Sequence, residues 1–353
     1  MRTTSDDAEL ERGFRAAAST SLPRAPLNAA LCAAIADDPS LRGLLGHAPV
    51  RQRTPMLLLA ALHDLVLAEP DHPLAAWYAD VVEVARDPGD PALAPTLRAF
   101  VDEREPALLD LLATRHVQTN EVGRCALLVA ALAGLDLGPV GLVDVGTSAG
   151  LNLQLARYAY RFDDGPLLGR SEVELACSTR GDGPAVTSIP DVVTAVGIDA
   201  RPVDPSDPSD ARWLRACCWP DQADRARRLA AAIDLARRHP PTVVAGDAVE
   251  SIGPVVDGLP VDVHPVVTTT WVASYLGASG RRALLDELDR LGAGRDLTWV
   301  FAESPAQTPE LPHADDLAGE ELTALVRATW RGGRRHVEHL ATCHPHGYWI
   351  RWR

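Results

Sequence analysis

The sequence predicts an α/β protein whose C-terminal two thirds form a doubly wound, mostly parallel, Rossmann-like sheet behind an N-terminal all-helical cap. Three observations predict it. Residues 1–116 carry apolar positions at helical spacing between prolines. Short β-branched runs then alternate with amphipathic stretches, and a glycine-rich turn closes the first of those runs.

The cap is read from APLNAALCAAIAD, TPMLLLAALHDLVLAE, HPLAAWYADVVEVAR and PTLRAFVDEREPALLDLLAT. Leu57, Leu58, Ala61, Leu62, Leu65 and Val66 form one apolar stripe that needs a packing partner. The second region, 117–353, opens with QTNEVGR, expected in the helix before the first strand. VGLVDV (140–145) has the continuous apolar character of a strand buried on both faces. LNLQLARYAY is expected as the following helix, and 171–194 as a hairpin inserted before the strand TAVGIDA. QADRARRLAAAIDLARRH reads as a long helix leading into PTVVAGDAVE. PVVTTTW and LTWVFAES read as strands separated by the helix GRRALLDELDRL. The end of the sequence reads as two strands around a Pro-His-Gly turn.

Composition excludes several function classes. All 34 basic residues are arginine, so neither a Schiff-base lysine nor a P-loop lysine exists. The net charge of −14 argues against a general nucleic-acid binder, although Arg331, Arg334, Arg335, Arg351 and Arg353 make a local basic tail. The six cysteines form no CxxC pair, and no Cys/His grouping has zinc-finger spacing, so no metal is expected. MRTTSDDAELERGF lacks the apolar core of a signal peptide, and no apolar run approaches the ~20 residues of a membrane span. The expectation is a cytoplasmic protein that does not enter membranes.

The chemistry is carried by strand ends. VDVGTSAGLNL places Asp144, Gly146, Ser148 and Gly150 where a strand, a tight turn and a helix follow one another. The pattern resembles the first motif of class I methyltransferases, with Ser148 where glycine is commoner. Asp199, ending VGIDA, is then expected to accept the ribose hydroxyl hydrogens of S-adenosylmethionine (SAM). Asp247 and Ala248, in VVAGDAVE, are expected at the adenine; each acid is equally readable as a helix N-cap. Within QTNEVGR, Gln118, Asn120, Glu121 and Arg124 would meet the amino-acid end, Arg124 pairing its carboxylate, or form a solvated helix face. Asn120, Glu121 and Trp271 are candidates for the acceptor side. Tyr275, Glu303 and His346 (with His344) are the candidate catalytic groups, expected to line one cavity with the glycine turn under the helical cap. Trp213, Trp219, Cys217 and Cys218 read as core residues.

The runs QTNEVGR, VDVGTSAGLNL, WLRACCWPDQADR, VVAGDA and PHGYWIRW resemble a bacterial family catalogued as domain of unknown function 2332. The resemblance spans nearly the whole sequence and implies a methyltransferase-like fold without a defined reaction. The expected function is methyl transfer from SAM to a small molecule. Two alternatives stay open. Gly146-Thr-Ser148-Ala-Gly150 also spells the GxSxG elbow of α/β hydrolases, with Asp262 and His344 or His346 in the required order. The other is a non-catalytic module that binds SAM or a nucleotide.

Overall fold

The computed structural model describes residues 4–22, 24–317 and 322–353, which divide into two compact units. The first comprises residues 1–119 and 206–230, the second 120–205 and 231–353.

In chain order the first unit begins with helices α1 (Thr4–Ser21), α2 (Pro26–Asp37), α3 (Pro39–Gly43), α4 (Pro55–Ala68) and α5 (Leu93–Thr114). Prolines open α2, α3 and α4, where the missing N–H costs no intrahelical bond. The α4 stripe is buried as its spacing predicts, inside a core with Phe14, Leu31, Trp77, Leu97 and Phe100. HPLAAWYADVVEVAR does not continue as a helix. It forms a five-residue 3-10 turn, Pro73–Trp77, and Trp77 then spends its indole N–H on the Asp87 carbonyl, 3.0 Å away. The unit also takes the WLRACCWPDQ segment, which the sequence had placed with the sheet region. Helix α7 (Pro208–Ala216) buries Trp213, whose Nε1 donates to the His116 carbonyl at 2.8 Å. Asp221 Oδ1 then accepts from Leu27 N (2.8 Å) and Oδ2 from Asn28 N (3.3 Å), capping the donors that start α2.

The second unit is mixed α/β. Its helices are α6 (Arg124–Leu132), α9 (Ala248–Asp257) and α10 (Gly277–Gly294), and α8 (Ala223–Arg238) ends in it. Its strands are β1 (Val140–Val145), β2 (Ala159–Phe162), β3 (Glu174–Arg180), β4 (Val192–Asp199), β5 (Thr242–Ala245), β6 (His264–Thr270), β7 (Leu297–Glu303), β8 (Thr323–Arg331), β9 (Arg334–Cys343) and β10 (Trp349–Trp352). Among the described residues they form one sheet in the order β2-β3-β10-β9-β8-β7-β6-β1-β4-β5. The block β5-β4-β1-β6-β7 is parallel throughout, with Asp144 opposite Gly197 of β4 and Thr268 of β6. All residues of β1 and β7 are buried, as continuous apolar runs require. After β1, and past β2 and β3 at the opposite edge, the chain lays β4 and β5 outward on one side of β1, then returns to the other side of β1 for β6. The carboxyl ends of β1 and β6 therefore flank the point where strand order reverses, the place where open α/β sheets bind ligands.

Two local expectations give way here. Residues 171–194 form no hairpin: β3 pairs in parallel with β2 and β10 at the far side of the sheet, leaving 183–190 irregular. LNLQLARYAY becomes a 3-10 turn, Leu151–Arg157, followed by β2. The hydroxyls of buried Tyr158 and Tyr160 donate to the carbonyls of Leu151 (2.7 Å) and Leu155 (2.6 Å), which fixes the turn. No described helix is long and apolar enough to cross a membrane.

Candidate functional site

The glycine turn after β1 is left-handed at three residues: Gly146 (φ 72°), Ser148 (φ 55°) and Gly150 (φ 69°). Its backbone donors are all engaged within the unit. Gly146 N and Thr147 N reach the Ile198 carbonyl (2.8 and 3.2 Å), Ser148 N the Asp199 Oδ2 (2.7 Å), and Gly150 N the Thr147 carbonyl (2.9 Å). Ala149 N reaches Asn120 Oδ1 at 3.3 Å, while Asn120 Nδ2 donates to Ser148 Oγ at 2.9 Å. The glycines answer to protein neighbours. A Cβ on Gly146 would lie 2.7 Å from Val272 Cβ, and one on Gly150 2.6 Å from Pro241 Cβ.

Around this turn stand carboxylates from the ends of four strands. Asp144, buried two residues before the turn, accepts from Thr268 Oγ1 at 2.7 Å. Burial pushes its pKa up to about 6 against the pull of the Thr268 and Thr147 hydroxyls and of Arg124. Asp199 ends β4 half-exposed, each oxygen holding one backbone N–H: Oδ2 that of Ser148 and Oδ1 that of Arg201 at 2.8 Å. Asp247, after β5, is the N-cap of α9; its Oδ1 accepts from Val249 N (2.8 Å) and Glu250 N (3.2 Å). Ala248 is the first residue of that helix. Glu303, the last residue of β7, has no exposed surface. Its Oε1 accepts from Val272 N (3.0 Å) and Ala273 N (3.1 Å), and no partner reaches Oε2 among the described residues. Burial raises its pKa to about 7, outweighing those N–H donors and Arg124.

A family model for an uncharacterized protein conserved in bacteria, DUF2332, matches residues 11–352. The chain belongs to this family. A search of curated proteins found no match.

Two of the segments that carry the DUF2332 resemblance meet beside the turn. Gln118–Glu121 is an irregular connection, not the helix expected, and α6 starts only at Arg124. Arg124, expected to pair a ligand carboxylate, is buried, and its guanidinium holds two carbonyls: Nε donates to Pro345 O (3.0 Å) and Nη1 to Thr270 O (2.9 Å). Glu121 Oε1 accepts from Gly123 N (3.0 Å), and Oε2 lies 3.5 Å from His346 Nδ1. A Cβ on Gly123 would strike the His346 carbonyl, and one on Gly347 the Gly123 carbonyl. Glycine at both positions is what allows QTNEVGR and the Pro-His-Gly turn to pack backbone to backbone.

The structure brings Asn120, Asp144, Ser148, Asp199 and the glycines together, with Asp247 on the adjoining strand. Tyr275 stands 85% exposed, Glu303 lies sealed beneath the 271–273 backbone, and His346 faces Glu121. Trp271 begins the loop after β6 with φ 57°, a strained value for a bulky residue, and its buried Nε1 has no partner among the described residues. Sequence reasoning missed Val272, Pro241 and Thr268. Only Thr268 left a signal, as a hydroxyl inside a strand buried on both faces.

Proposed function

We propose that the chain binds SAM at the carboxyl ends of β1, β4 and β5, as a class I methyltransferase-like Rossmann domain, and transfers its methyl group to a small-molecule acceptor. One observation carries the reading. Three adjacent parallel strands present the glycine turn, Asp199 and Asp247 at the same end, beside the strand-order reversal.

The donor set fits the group. Asp199 keeps a second lone pair on each oxygen after accepting its backbone hydrogens, enough for a ribose diol. Asp247 caps α9 through Oδ1, leaving Oδ2 for an exocyclic amine. The committed N–H groups of the turn argue against a diphosphate cradle, which needs such donors free. Asp144, Asp199 and Asp247 at the ends of neighbouring strands favour a cation. When bound, SAM supplies an electrophilic methyl group on a sulfonium. The residues here hold its ribose and base and keep the turn rigid through Asn120. Glu303, with a pKa near neutrality, is the base available at the end of β7 for an acceptor that must lose a proton. Val272 packs on Gly146 and its N–H is latched by Glu303, so the 271–273 loop must lift for an acceptor to reach that carboxyl.

The hydrolase alternative draws on one observation, the left-handed backbone of Ser148, which suits a nucleophile elbow. Against it, Ser148 is buried and its Oγ accepts an amide hydrogen from Asn120, which makes it a clamp on the turn.

Calorimetric titration with SAM and S-adenosylhomocysteine tests the proposal. Both ligands should bind, and Asp199→Asn and Asp247→Ala should each weaken SAM at least about tenfold, or ~1.4 kcal/mol. Absence of binding, or affinity unchanged in both variants, removes the assignment.

A further inference from the structure

One face of the β8–β9 hairpin carries charge that the unit leaves unbalanced. Antiparallel register sets Arg327 opposite Glu338, Thr329 opposite His336, and Arg331 opposite Arg334. Side chains two apart along a strand share a face, so these six line one groove of about 340 Å³, walled on one side by Leu135. The inner end is neutral: Arg327 holds both oxygens of Glu338 at 3.0 Å and the Ala131 carbonyl as well. The outer end differs. Arg331 and Arg334 are both exposed, and neither makes an ion pair among the described residues. Like charges directly opposite in an antiparallel ladder destabilise the pair. The other face of the same hairpin shows the usual remedy. There Arg335 pairs with Asp289 at 2.9 Å, and Trp330 Nε1 donates to the same carboxylate. Asp296, at the hairpin tip, bonds the Gly332 N–H and does not line the groove.

We propose that this groove is a binding site for a phosphoryl group, free or as a monoester. Two guanidinium forks side by side match the oxygens of a dianion, and each can engage them bidentately. The Thr329 hydroxyl and the His336 imidazole stand one register position further in, where they add donors. Bound phosphate relieves the Arg331–Arg334 repulsion, so ligand binding and hairpin stability are coupled. The inference is independent of the SAM reading, whose residues lie at the other strands.

The test uses the full chain and inorganic phosphate. At ~10 mM, phosphate should raise the melting temperature by about 2 °C or more above chloride at matched ionic strength. Arg331→Ala/Arg334→Ala should melt no lower than the parent in phosphate-free buffer, and its calorimetric affinity for phosphate should fall at least about tenfold. Phenyl phosphate separates the two sources: tighter binding than inorganic phosphate assigns a monoester seated on Leu135, and equal binding assigns the free ion. A response no larger than that to chloride, or one retained in the double variant, overturns the proposal.

Discussion

Replacing Glu303 with glutamine should make the protein more stable at alkaline pH and leave it no more stable at acidic pH. The native carboxyl keeps its proton to about pH 7, whereas the unfolded group releases it near the ordinary value of 4.5. Between these values the native state binds more protons, so stability is fully present below 4.5 and is lost as pH rises through 7. The difference between the two values corresponds to about 3 kcal/mol. The carbonyl of the substituted glutamine can still accept from Val272 N and Ala273 N, so the latch on the loop survives. Its amide nitrogen would occupy the site of Oε2, where no partner waits, at a cost of about 1 kcal/mol. The net gain at pH 8 is then about 2 kcal/mol, or roughly 4–8 °C in melting temperature for a domain of this size. At pH 5 the gain should vanish or reverse slightly. Thermal unfolding of both proteins at pH 5, 6, 7 and 8 measures the difference, in which Asp144 and every other titrating group cancels. A difference that does not change with pH, or a variant less stable at pH 8, would refute the reasoning.

Asn120→Ala should cost about 1–3 kcal/mol in denaturant unfolding, because it leaves Ser148 Oγ and Ala149 N without their amide partner; a cost below ~0.5 kcal/mol would mean that Asn120 does not clamp the turn. Gly146→Ala should destabilise by about 2–4 kcal/mol, combining a left-handed backbone with collision against Val272, and Val272→Ala should recover part of that loss; strict additivity of the two substitutions would deny the contact. Ser148 should resist fluorophosphonate labelling, and stoichiometric labelling there would establish the hydrolase instead.

Much of the fold was legible because its signals are local. VGLVDV, PVVTTT and LTWVFAE are runs that only a strand covered on both faces can bury, and all three occupy the parallel block. The α4 stripe and the proline starts are equally local. What the sequence hid depends on distant partners. SEVELACSTR looks like half of a hairpin until β10, about 170 residues later, supplies its neighbour. WLRACCWPDQ belongs with segments that precede it by 97 to 194 residues, because Asp221 caps α2 and Trp213 bonds His116. At the site, the strand-end acids were visible from their order. Their competing engagements were not: the cap made by Asp247 and the two N–H bonds held by Asp199 are fixed by backbone geometry that no residue spacing encodes.

The glycine turn shows how one pattern can serve two purposes. Read from sequence, Gly146 and Gly150 let a ligand approach the backbone. In the structure, Val272 and Pro241 occupy the space that a Cβ would need, so packing alone would demand both glycines. Arg124 also has a packing role: its guanidinium donates to the carbonyls of Thr270 and Pro345, joining the end of β6 to the Pro-His-Gly turn. The two glycines therefore have a packing reason that holds whether or not a ligand binds. On the SAM proposal, ligand specificity would reside in groups that the packing does not consume. Those are the second lone pairs of Asp199, Oδ2 of Asp247, and the buried Glu303 Oε2 and Trp271 Nε1. The last two are orphaned polar groups, one of them on a strained residue, and such groups cost stability wherever they serve no purpose. They stand at the carboxyl ends of β6 and β7, next to the strand-order reversal, so on the SAM proposal an acceptor would meet them there.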